Sequence, residues 1–172
     1  MSSANKQILK LVISGLWLLC SAVALWFVAD KRATVFDPNN MLQQPQWQRS
    51  LLPVLADIDS EKHSTTLLLV GNEQCRCQRV AAPHQNKVIA DARRAGIKVR
   101  QVDASSLPTG LLPAVPAAIM LAQGSVLYAG PLSVGLGCAI EDGIIDTVIS
   151  NYENGFHSSM LVSKVSGCYC RV

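Results

Sequence analysis

Two cysteines one residue apart, Cys75-Arg76-Cys77, stand where an apolar run gives way to a helical pattern. Thr66-Leu67-Leu68-Leu69-Val70 has the length and apolar character of a strand. Gly71-Asn72-Glu73-Gln74 then leads into the cysteines. A cysteine at the start of a helix lies beside unpaired backbone N–H groups, and the helix macrodipole there favours thiolate over thiol. Arg76 and Arg79 add positive charge nearby. That combination suits a sulfur that reacts. The bland alternative is a buried structural pair or a single structural disulfide. A second pair, Cys168-Tyr169-Cys170, closes the chain, and Cys138 ends a glycine-rich stretch. Five cysteines outside the apolar N-terminus is an odd count, so at least one is free, intermolecular or metal-bound.

The elements that must position these residues can be read in order. Trp47 to Asp57 carries apolar residues at helical spacing and Pro53 in its middle, which weakens the helix, and 58–65 is polar and reads as a loop. After the strand at 66–70, the cysteine-led helix continues through Val80, Ala81, His84, Val88, Ala92 and Ala95. Pro83 should kink it, and Gly96 should end it. Residues 97–102 alternate apolar and polar, a second strand, and 103–114 form a Ser/Pro/Gly loop. Val115 to Leu121 is a strand entered through Pro116. Gln123-Gly124-Ser125 turns it into a hairpin partner at 126–129. The loop 130–138 precedes a helix expected over 139–150, with Glu141 and Asp142 in its first turn. Met160 to Val165 reads as one more strand.

Residues 8–29 form an apolar segment interrupted only by Lys10. From Leu11 to Ala29 the uncharged run is 19 residues, close to what a bilayer crossing needs. A cleaved signal peptide ending near Ala22-Val23-Ala24 is the rival, but Leu25 to Ala29 continues the apolar run. The expectation is a short tail (1–7), a membrane anchor (8–29), a linker (30–46) rich in Pro, Asn and Gln, and one domain (47–172). Cys20 reads as an ordinary apolar residue of the span. Basic residues flank the segment on both sides, so orientation follows from the habit of a single N-terminal span to send its domain across. Four of the 15 Lys+Arg and one of the 12 acids precede Ala33, leaving 11 of each in the remainder. A neutral domain without a basic patch excludes a nucleic-acid partner.

Taken together, strand, cysteine-led helix with Pro83 eight residues after Cys75, strand, loop, X-Pro strand, glycine hairpin and final helix resemble the thioredoxin family. The resemblance covers roughly 66–150. It implies an α/β fold with a mixed sheet flanked by helices, here preceded by one transmembrane helix. It also implies that Val115–Pro116 is cis and that Pro116 shapes a groove where a substrate peptide pairs beside the reactive sulfur. The sequence departs from the family at two points. The family pattern is Cys-x-x-Cys, so Gln78 stands where its second cysteine belongs and Cys77 is one position early. Leu69 replaces the buried acid that many members carry six residues before the first cysteine.

In such a sheet the hairpin's second strand and a final strand both run toward the cysteine end, which would gather Cys138, Cys168 and Cys170 beside Cys75 and Cys77. Three roles are open for them: a structural disulfide from Cys138 to Cys168 or Cys170, a dithiol relay in which the tail exchanges disulfides with Cys75 and Cys77, or a soft-metal site. His84 is expected to be a solvated helix residue, with proton transfer to Cys77 as the sharper alternative. His63 and His157 read as loop residues.

The expectation is therefore a membrane-anchored thiol–disulfide oxidoreductase or isomerase. It would act on exported cysteine-containing proteins from the outer, periplasmic side of the cytoplasmic membrane. Cys75 would attack, Cys77 would resolve, and a membrane redox partner would complete the cycle. The chemistry needs no organic cofactor. The alternative is a membrane-tethered copper or zinc binding protein on the same fold.

Overall fold

Thr66–Gly71 (β2) forms because five consecutive buried residues demand cover on both faces, which suits the interior of a sheet. In a computed structural model of the chain, which describes residues 3–58, 64–135 and 143–172, β2 is flanked on each side by another strand. Lys98–Asp103 (β3) pairs with it in parallel, Thr66 opposite Lys98. Ala117–Ala122 (β5) pairs antiparallel on the other side, Thr66 opposite Leu121. Ser125–Pro131 (β6) returns from β5 through Gln123 and Gly124, both with positive φ (50° and 75°). Two successive left-handed residues make the turn whose twist matches a hairpin. Met160–Leu161 (β7) adds a short parallel edge to β6. The sheet order is β3-β2-β5-β6-β7.

Side-chain alternation divides the interior in two. Leu67, Leu69, Ala118 and Met120 face Arg76–Arg94 (α3) and Ile144–Glu153 (α4), with Ala81, Val88, Ala92, Ile145 and Ile149 as the covering residues. Leu68, Val70, Ala117 and Ile119 face the other way, toward Pro45–Ile58 (α2) and both ends of the domain chain. In α2, Pro53 is accommodated inside the helix, and buried Trp47 donates its indole N–H to the Leu111 carbonyl at 2.7 Å.

The stretch 30–46, expected as a linker, lies in part in structured elements, and from Thr34 on it is part of the compact unit. Asp30 to Arg32 complete α1 (Ser3–Arg32). The compact unit then begins at Thr34, with Thr34–Val35 (β1), fully buried Phe36 and Asp37, and a 3-10 turn over Met41–Gln43 that buries Leu42. Asp37 accepts from Leu42 N (2.9 Å) and Ser163 Oγ (3.1 Å) through Oδ2. A few apolar residues among Pro, Asn and Gln thus nucleate real packing. Within α1, Gln7–Val28 is long and apolar enough to cross a membrane.

The final strand expected over 160–165 is only Met160–Leu161. Beyond it, Ser163 and Val165 accept backbone hydrogen bonds from Asp37 and Phe36. Ser166–Gly167 (β8) pairs with β1, and Cys170–Arg171 (β9) pairs with Ala114–Val115 (β4). The last helix is described from Ile144, with Gly143 as its cap and Asp146 in its first turn; the expected start at 139, with Glu141 and Asp142, lies outside the described residues. Residues 136–142, and Cys138 with them, lie outside the described residues, as does His63.

Candidate functional site

The site begins with the turn that delivers Cys75. Asn72 shapes it: its side-chain oxygen accepts from Gln74 N (2.8 Å) and its carbonyl from Cys75 N (2.9 Å). Cys75 is the extended N-cap of α3, and Cys77 lies in the first helical turn. Both residues are buried, 3% and 7% exposed. Gly71 lets the Gln78 amide lie close against the backbone, since a Cβ there would come within 2.6 Å of it and displace that side chain. Gln78, at the position of the second cysteine in the thioredoxin pattern, has a structural role. It donates to Gln85, which donates to Gln101 Oε1 at 2.9 Å.

Cys75 and Cys77 are not bonded to each other. Cys75 is bridged to Cys170 and Cys77 to Cys168, with Cα separations of 5.9 and 5.4 Å, ordinary for disulfides. This replaces the expected Cys75–Cys77 pair, and of the three roles left open for the tail cysteines it engages both with α3 rather than with Cys138, which lies outside the described residues. The reason is directional. Residues two apart in an extended tail project to the same face, so Cys168 and Cys170 both meet the helix start.

The tail is also held without its sulfurs. Tyr169, between the cysteines, is buried, packs edge-on against Phe36 and donates its hydroxyl to the Ser133 carbonyl at 2.9 Å. The Arg171 guanidinium donates to the carbonyls of Phe36 (2.9 Å) and Val35 (2.8 Å). In the β4–β9 pair Cys170 lies opposite Val115, the residue before Pro116, and the Val115–Pro116 bond is cis. The Val115 carbonyl oxygen is 3.8 Å from Cys75 Sγ. The cis bond and the arrival of the tail at the cysteine end agree with the sequence reading. Arg76 and Arg79, expected to lower the pKa of Cys75, are exposed.

His84 is not the solvated residue expected, and its ring serves α4 rather than Cys77. It is 4% exposed, and its Nε2–H donates to Asp146 Oδ2 at 2.6 Å. Lys87 Nζ donates to Asp146 Oδ1 (2.9 Å) and to Asp91 (3.0 Å). Burial opposes ionisation of Asp146, but the hydrogen bonds from His84 and Lys87 outweigh it and hold its carboxyl down to about 2. The same carboxylates, Asp146 first and then Asp91, push the Lys87 ammonium up. The sequence signal for this network was the spacing of His84, Lys87 and Asp91 along one helix. Its partner in α4 is distant in sequence. His157, read as a loop residue, stacks on Tyr152. Among the described residues Cys20, in α1, is the free cysteine.

An α/β domain with a five-stranded mixed sheet, two cross-bridged Cys-x-Cys pairs at a helix start and an apolar N-terminal helix defines the class of protein. The chain belongs to the family described as a domain of unknown function, DUF6436, whose profile matches residues 43–172. No curated protein and no solved structure matches the chain.

Proposed function

We propose that this is a thioredoxin-like domain, anchored by α1 in the cytoplasmic membrane and facing its outer side, that exchanges disulfides with exported cysteine-containing proteins. The observation that carries the reading is the convergence of both Cys-x-Cys pairs at the start of α3, with Cys75 beside the Val115 carbonyl. A helix start stabilises the thiolate that leaves when the bridge opens. The β4 edge next to it holds an extended chain in antiparallel register, currently the protein's own tail. The sheet order, the cysteine-led α3 and Pro116 beside the site support the thioredoxin-like reading.

In the oxidising direction a substrate thiolate attacks one of the two bridges and forms a mixed disulfide, and one protein thiolate leaves. The second substrate thiol then attacks the mixed disulfide. The substrate gains one disulfide and the protein gains two thiols, so electrons balance without an organic cofactor. Opening the other bridge in the same way stores two more electrons, and a membrane redox partner would reclose both.

The test uses the full chain in detergent micelles with a dithiol peptide. Oxidation of the peptide, matched by two new alkylatable thiols among Cys75, Cys77, Cys168 and Cys170, is the expected result. An unchanged rate in a variant with all four of these cysteines replaced by serine would overturn it. A second reading has its own observation: the Sγ atoms of Cys75, Cys77 and Cys170 lie within 4.8 Å of one another. Once reduced, such thiolates suit Cu(I) or Zn(II). Metal that co-purifies with the reduced chain, together with no peptide oxidation, would favour this reading.

A further inference from the structure

The sulfur of Cys77 belongs to one bridge yet lies within 4.8 Å of both sulfurs of the other. The two bridges are therefore neighbours in space at the level of reacting atoms. The residues differ in access: Cys75 and Cys77 are buried, whereas Cys168 and Cys170 are partly exposed. The tail does not depend on one bridge for its position. Tyr169 and Arg171 dock it through hydrogen bonds of 2.8–2.9 Å.

From these facts we infer that Cys77 is a switching sulfur, which carries electrons taken up at the tail across to Cys75 by exchanging between Cys168 and Cys170. The inference rests on the proposed thiol–disulfide chemistry of this cluster and gives it an internal order. An external dithiol attacks Cys168, the partly exposed residue of its bridge. The Cys77–Cys168 bond breaks with its electron pair on Cys77, a good leaving group in the first turn of α3. The second thiol of the external dithiol closes its own disulfide and frees Cys168. The Cys77 thiolate then attacks Cys170. A Cys77–Cys170 bond forms, the Cys75–Cys170 bond breaks, and the electron pair leaves on Cys75 at the N-cap of α3. Two electrons have moved from the external dithiol to the helix start, and one bridge still ties the tail down. No further oxidant or reductant enters.

The decisive species has Cys77 bonded to Cys170, with Cys75 and Cys168 both free. The full chain in micelles is treated with one equivalent of dithiothreitol, quenched in acid, alkylated and digested with trypsin. Cleavage after Arg76 separates Cys75 from Cys77, and fragmentation distinguishes Cys168 from Cys170 in the tail peptide. We expect the Cys77–Cys170 link to rise from nothing to a main one-bridge product, with alkyl groups on Cys75 and Cys168 of the same molecule. One-bridge molecules that carry only Cys75–Cys170 or only Cys77–Cys168 overturn the inference. A second arm uses Cys168→Ser, which leaves Cys77 without its partner. Cys77–Cys170 should then coexist with Cys75–Cys170, and exclusive Cys75–Cys170 is the contrary result. The wild-type arm needs no substitution, so misfolding of the variant cannot obscure the answer. Exchange inside the cluster without oxidation of an external peptide would leave the switch standing and remove the proposed substrates. Peptide oxidation without internal exchange would do the reverse.

Discussion

At its N-terminal end α3 is fastened to the C-terminal tail by two disulfides, while two turns further along His84 and Lys87 fasten it to α4 through the carboxylate of Asp146. The first tie is covalent and opens with electrons. The second is a charge-assisted hydrogen-bond network and opens with protons. One helix thus carries two fastenings that answer to different solution variables, and the difference can be read by experiment.

The largest effect should come from the covalent tie, in a non-additive pattern. The bridges span 95 and 91 residues, but once either is closed the other closes only a small ring. Chain-entropy reasoning gives about 2 kcal/mol for losing one bridge and about 7 kcal/mol for losing both. Denaturant unfolding of Cys77→Ser/Cys168→Ser, Cys75→Ser/Cys170→Ser and the four-serine variant measures this. Two pair losses that sum to the four-serine loss would mean that the bridges do not share a loop.

Next comes His84→Ala, which leaves a buried carboxylate oxygen without its donor and should cost about 2–3 kcal/mol. The same variant should leave the disulfide pairing unchanged, since His84 serves α4. Altered pairing by peptide mapping would show that the two fastenings are coupled.

Asp146→Asn sharpens the proton side. The folded carboxyl sits at about 2, below its ordinary value of 3.8, so its ionisation stabilises the fold above pH 4. That contribution, about 2 kcal/mol, fades as the pH falls from 4 toward 2. The stability gap between wild type and Asp146→Asn should therefore be widest near neutrality and close in acid. A gap that is flat with pH would contradict the assignment.

The smallest expected effect is Tyr169→Phe, which removes the hydroxyl bond to Ser133 and should cost about 1 kcal/mol. If that variant also slows the appearance of the Cys77–Cys170 link, the non-covalent docking of the tail sets up the exchange. An unchanged rate would assign tail positioning to the Arg171 contacts and the remaining bridge.

Local chemistry made much of this protein legible in its sequence. The run Thr66–Val70 read as a strand by its length and unbroken apolar character, and the fold showed why it is apolar on both faces, since it lies inside the sheet. Cys75 at the start of a helix, the Gln123-Gly124 hairpin, Gly96 after α3 and the apolar N-terminal helix are each fixed by residues within a few positions of one another. Pairing between distant segments was decided only in the tertiary structure. Nothing near Cys75 names Cys170 as its partner, because that bond depends on β7 bringing the tail back parallel to β6 and on β9 finding β4. His84 looked like a surface histidine because its partner Asp146 lies 62 residues away, and residues 34–44 looked like a linker because their packing partners sit at 163–167. Short-range conformation follows from sequence spacing, whereas the choice among five similar thiols depends on which ones the completed sheet brings within bonding distance.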